Sequence, residues 1–62
     1  MEPEKDFLEN AATMVTFAQK EIKQFLTWTK RIPAYKTPAE EVVAELAAVL
    51  VRIKELQQQY EG

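Results

Sequence analysis

Ile32-Pro33-Ala34-Tyr35-Lys36-Thr37-Pro38-Ala39-Glu40 carries two of the three prolines in this 62-residue sequence, and its reading decides the fold. Pro33 disfavours helical geometry at Ile32, so a helix arriving from the N-terminal side should end near there. Thr37-Pro38-Ala39-Glu40 reads as a helix start. It offers a threonine N-cap, a proline at the first helical position, where its missing N–H has no intrahelical partner to lose, and a glutamate at the third. This is the spacing of a capping box. Only Ile32 to Lys36 separate stop from start, and so short a connection makes the two helices antiparallel neighbours.

Both flanks of this stretch have helical period. Upstream, Leu8, Ala11, Val15, Ala18, Ile22, Phe25, Thr29 and Ile32 recur in steps of three and four and share one stripe. Phe7, Met14 and Trp28 flank that stripe on one side, Ala12 and Leu26 on the other. The opposite face is polar (Glu9, Asn10, Thr13, Thr16, Lys20, Lys23, Gln24, Thr27 and Lys30), with Phe17 as its apolar exception. Pro3 suits a first turn, and Lys30 and Arg31 complement the negative end of the helix dipole. Downstream, Ala39, Val42, Leu46, Val49, Ile53, Leu56 and Tyr60 form a second stripe, widened by Val43 and Leu50, before Gly62 closes the chain.

The expected fold is all-α, a single helical hairpin over residues 1–62 that associates into a four-helix bundle. One helix is expected at about 4–31, the turn at 32–37 and the second helix at about 38–60. Val42, Leu46, Val49, Ile53 and Leu56 should meet Leu8, Val15, Ile22 and Phe25. Charge agrees with this pairing. Lys20, Lys23, Lys30 and Arg31 would lie beside Glu40, Glu41 and Glu45, and the acidic start (Glu2, Glu4, Asp6, Glu9) nearer Arg52 and Lys54. Each surface pair contributes about 0–1 kcal/mol, so these charges favour a topology more than they hold it.

Size makes association the expectation. A chain this short buries only about 60% of its unfolded surface when it folds alone, and small scaffolds offset the deficit with disulfides, a metal or oligomerisation. With no cysteine and no histidine, disulfides, thiolate zinc sites and imidazole ligands are all removed. Carboxylate sites remain in principle, but no acidic loop carries the turn glycine of an EF-hand, so no cofactor or metal is expected. A 47% apolar content with a net charge of only −2 is far from the composition of disordered chains. No apolar run approaches the roughly 20 residues of a membrane span, and the acidic N-terminus is unlike a secretory signal. A cytoplasmic protein with no membrane partner is the expectation.

Helix 2 has more apolar surface than one neighbour can cover. Ala44, Ala47, Ala48 and Val51 form a second stripe on it, and from Leu46 to Val51 it is apolar nearly all round, which marks a helix buried on more than one side. Alanine is also the best helix former, so the alanines alone fit a solvated face; Val51, β-branched, does not. Ala44, Ala47, Ala48, Val51 and Phe17 are therefore the expected partner-binding residues. The partner is either a second copy or a larger helical protein that this chain serves as small subunit, adaptor, co-chaperone or regulator.

Catalysis is not expected. Histidine, cysteine and serine are all missing, so the common nucleophile–base pairs cannot be built. Glu21, on the flank between Met14 and Trp28, is the one carboxylate whose half-burial would suit acid–base work. A rim residue pairing with Arg52 or with a partner's base is the simpler reading. The alternative function is RNA binding by a hairpin dimer. Lys20, Lys23, Lys30 and Arg31, with Lys36, outnumber the single acid Glu21 in that stretch, and Trp28 and Tyr35 could stack on unpaired bases. The chain's slight overall acidity weighs against it.

Overall fold

The computed structural model describes residues 3–61; Met1, Glu2 and Gly62 lie outside the described residues, and with them the pairing expected of Glu2 and the closing glycine. Two helices, α1 (Pro3–Trp28) and α2 (Pro33–Glu61), pack against each other. They are antiparallel. Lys5 Nζ lies 3.8 Å from Glu61 Oε1 at the open end, Gln19 Nε2 donates to the Val43 carbonyl at 3.4 Å, and Arg31 lies 3.8 Å from Glu40 Oε2 near the turn. The Arg31 pair follows the charge pattern. At the open end the observed pair has the opposite polarity to the expected contact of helix 1 acids with Arg52 and Lys54.

The reversal is tighter and earlier than the prolines suggest. Helix α1 ends at Trp28, three residues before the expected stop, and α2 begins at Pro33, five before the expected start. The cause is a Schellman motif, in which the Arg31 N–H bonds to the Leu26 carbonyl (3.0 Å) and the Lys30 N–H to that of Thr27 (3.1 Å). Lys30 and Arg31 both take positive φ, 54° and 55°, a conformation costing a non-glycine residue about 1–2 kcal/mol. They stand beyond the helix end instead of in its last turn.

Pro33 then occupies the first position of α2, and the Tyr35 and Lys36 N–H groups both bond to the Ile32 carbonyl at 2.9 Å. The helix is thus already running when it reaches Thr37, so the expected capping box lies in its interior. Pro38 sits inside α2, where it has no N–H to give the Ala34 carbonyl.

The seam between the helices is turned from the expected one. Leu8, Ala12, Val15, Gln19, Ile22 and Leu26 from α1, with Thr29 just after it, face Ala39, Val43, Leu46, Leu50, Ile53 and Gln57 from α2, all buried or half-buried. Their spacing alternates four and three, the 3.5-residue period of a coiled-coil seam. Leu8, Val15, Ile22, Leu46 and Ile53 stand where expected. Phe25, Val42, Val49 and Leu56 do not; they are exposed. The seam is rotated by roughly 50°, half the 100° between successive helix residues, toward Leu26 on α1 and Val43 and Leu50 on α2. Near the turn the shift buries Leu26 together with Ala39 and leaves the bulkier Phe25 outside, which suits helices packed about 8–10 Å apart.

The core that results is thin. Among the described residues only Leu26 (4% exposed) and Ala39 (7%) are buried, one from each helix near the turn. The Cα atoms span 45 × 17 × 9 Å with a radius of gyration of 14.5 Å, against about 10.6 Å for a compact domain of this length. The molecule is one helix thick.

Candidate interaction surface

Turning the seam toward Leu26 leaves a second set of apolar side chains on one broad side of the hairpin. On α1 these are Phe7 and Met14, both 68% exposed, with Phe25 and the half-buried Ala11 and Ala18. On α2 they are Tyr35, Val42, Val49 and Leu56, each seven residues from the next, then Tyr60. Both rows lie on the same rotational side of the seam, and antiparallel packing brings them to one face. At the turn end they join directly. The rings of Phe25 and Tyr35 meet edge to face at 5.9 Å, and Ile22, Phe25, Ala34, Tyr35, Pro38, Ala39 and Val42 line one shallow groove. Glu21 continues the Phe7–Met14 row and is exposed, not half-buried as expected, because the seam lies on the far side of the helix. Trp28, 81% exposed, ends the row near the turn.

The opposite face is polar. Thr13, Thr16 and Lys20 stand across a shallow groove from Leu50 and Lys54, and Lys23, Thr27 and Arg31 across another from Glu40 and Val43. The hydroxyls of Thr13, Thr16 and Thr27 in α1, and of Thr29 just after it, donate to carbonyls four residues back, at 2.9–3.2 Å. None is presented as an activated nucleophile. Among the described residues no group of three or more carboxylates is gathered to hold a metal, and no helix is long and apolar enough to cross a membrane.

The residues expected to bind a partner are exposed, but they do not form one surface. Ala44, Ala48 and Val51 run along the outer edge of α2, with Ala47 between that edge and the polar face. Phe17 is on α1, beside Thr13, Thr16 and Lys20. The basic residues are likewise exposed and only partly together. Lys20 and Lys23 belong to the polar face and Lys30 to the turn, while Arg31 is paired with Glu40. Trp28 projects from the other side of α1, and Tyr35 is engaged with Phe25. Sequence reasoning missed the open face because it assigned Phe25, Val42, Val49 and Leu56 to the seam. The seven-residue recurrences Phe7–Met14 and Tyr35–Val42–Val49–Leu56, running beside a complete first seam, are the signal that finds it.

Comparison with protein-family models, with curated proteins and with solved structures finds no match for this chain.

Proposed function

We propose that this chain is a non-enzymatic helical interaction module that self-associates through its open apolar face, two hairpins making a four-helix bundle. The observation that carries the reading is the gathering of Phe7, Met14, Phe25, Tyr35, Val42, Val49, Leu56 and Tyr60 on one exposed side of a layer one helix thick. Domains are stable when two layers enclose a core, and a contiguous apolar patch of this kind marks an interaction site. The broad side that carries it extends 45 by 17 Å between Cα atoms.

RNA binding is the weaker reading. Its two aromatic candidates are separated from the lysines, one by the helix and the other by its contact with Phe25, and its arginine is held by Glu40. The proposal is tested by light scattering after size exclusion at tens of micromolar protein. A mass of twice the monomer supports it. A cooperatively folded monomer overturns it, and a chain poorly helical alone that folds on adding a different protein replaces it with the heteromeric subunit.

A further inference from the structure

Three charged side chains interrupt the middle of the open face, and their placement bears on what covers it; Glu4, seven residues before Ala11, is a fourth, near the open end. Glu21 lies seven residues beyond Met14 on α1. Glu45 and Arg52 lie seven apart on α2, interleaved with Val42, Val49 and Leu56 in steps of three and four. At helical spacing all three belong to the open side. All are exposed, and among the described residues none has an ion-pair partner within the chain.

Their heights along the hairpin follow from its cross-links. Gln19 reaches Val43 and Lys5 reaches Glu61. Glu21 and Glu45 therefore both fall on the turn side of the hairpin's middle, and Arg52 on the other side. At a rise of 1.5 Å per residue, Glu45 and Arg52 are about 10 Å apart along the axis. Around its middle the face is acidic toward the turn and basic away from it, with Glu4 farther out toward the open end.

Two copies can bring this face to itself about a twofold axis in two ways. With the axis along the helices the two turns share an end and equal heights meet. Glu21 of each copy then stands against Glu45 of the other, and the two Arg52 side chains share a level with no acid. With the axis across the helices the turns point to opposite ends and the heights invert. Arg52 of each copy then comes level with the acidic half of the other, within about one helical turn of the opposing Glu45. The same inversion, centred between Met14 and Ala18, sets Phe7 against Phe25 and Met14 against Ala18, the layering of an antiparallel coiled coil. Like charges facing across an interface reject a pairing, and opposite charges fix register.

We infer that the open face is covered by a second copy of this chain in antiparallel orientation, turns at opposite ends, with Arg52 of each copy paired to Glu45 of the other. The inference rests on reading the open face as the association surface, and adds the occupant's orientation and the charges that set it.

The test uses the absence of native cysteine. Lys36→Cys, on the polar side next to the turn, takes a single spin label without touching the open face. Pulsed dipolar spectroscopy of the dimer should give about 40 Å between labels, approaching the hairpin's 45 Å length. Turns at the same end would give about 20–25 Å, the thickness of two helix layers with packing distances of about 10 Å. In parallel, Glu45→Arg and Arg52→Glu should each weaken dimerisation at least tenfold with helix content unchanged. The combined swap should restore it to within about threefold. A short label distance, or a swap no better than the single variants, overturns the orientation and leaves self-association standing. A folded monomer in the unsubstituted chain overturns both.

Discussion

The rings of Phe25 and Tyr35 meet edge to face with centroids 5.9 Å apart and planes at 75°, joining the end of α1 to the start of α2 on the open face. Aromatic pairs in this geometry contribute about 0.5–1.5 kcal/mol beyond the area they bury. Phe25→Ala and Tyr35→Ala should each lower the urea midpoint, and the double variant should lose less than the two losses combined. The coupling should be about 1 kcal/mol, with protein concentration held fixed because association shifts apparent stability. A coupling near zero would mean that the rings do not stay together in solution.

Lys30 holds φ 54° at the position after the α1 cap, where glycine is the usual occupant. Lys30→Gly should therefore stabilise the chain by about 1 kcal/mol, since glycine takes this conformation without the Cβ clash. Arg31→Gly relieves the same clash at φ 55° but loses the contact with Glu40, an exposed pair worth about 0–1 kcal/mol, so its net gain should be smaller. Chemical denaturation of the two variants beside the parent checks both the sign and the order. Destabilisation by Lys30→Gly would show that the backbone does not turn left-handed there.

Pro38 lies inside α2, and replacing it reports where the helix begins. Inside a helix that starts at Pro33 it withholds a hydrogen bond from the Ala34 carbonyl and crowds it, a burden of up to about 3 kcal/mol relative to alanine. Pro38→Ala should raise stability by about 1–3 kcal/mol and leave the helix length seen by circular dichroism unchanged or slightly greater. Were the helix instead to start at Pro38, the same change would remove a favourable first-position proline and give no gain.

These positions show where sequence and structure part. Two antiparallel helices were legible because the three–four recurrences report directly on backbone geometry and the proline-bearing break between them is short. The phase of the seam was not. Leu26 and Phe25, or Val43 and Val42, are neighbours 100° apart on a helix, and when both are apolar the centre of the stripe is undefined by composition. Packing resolves it: the seam takes Ala12, Leu26, Val43 and Leu50, and Phe25, Val42, Val49 and Leu56 fall to the open side. The turn was illegible for a related reason. Its left-handed positions are filled by lysine and arginine, so no glycine or asparagine announces them, and the strong Thr37 start signal is overridden once Pro33 nucleates the helix.

The two apolar surfaces outside the seam make opposite predictions, and lysine substitution separates them. Met14 and Val49 stand on the open face, 68% and 44% exposed; Val51 stands on the outer edge of α2, 58% exposed. None of the three fills the seam, so a lysine at any of them should leave the isolated hairpin's helicity nearly intact. Burying an unpaired ammonium in an interface is strongly unfavourable, and its long stem relieves only part of the strain by reaching for water. Met14→Lys and Val49→Lys should therefore weaken dimerisation at least tenfold, while Val51→Lys should leave it within about twofold. Sedimentation equilibrium over a range of concentrations, with circular dichroism as the folding control, measures each effect. The reverse ranking, with Val51→Lys dissociating the protein and Val49→Lys harmless, would move the interface to the Ala44–Ala48–Val51 edge and leave the open face to solvent.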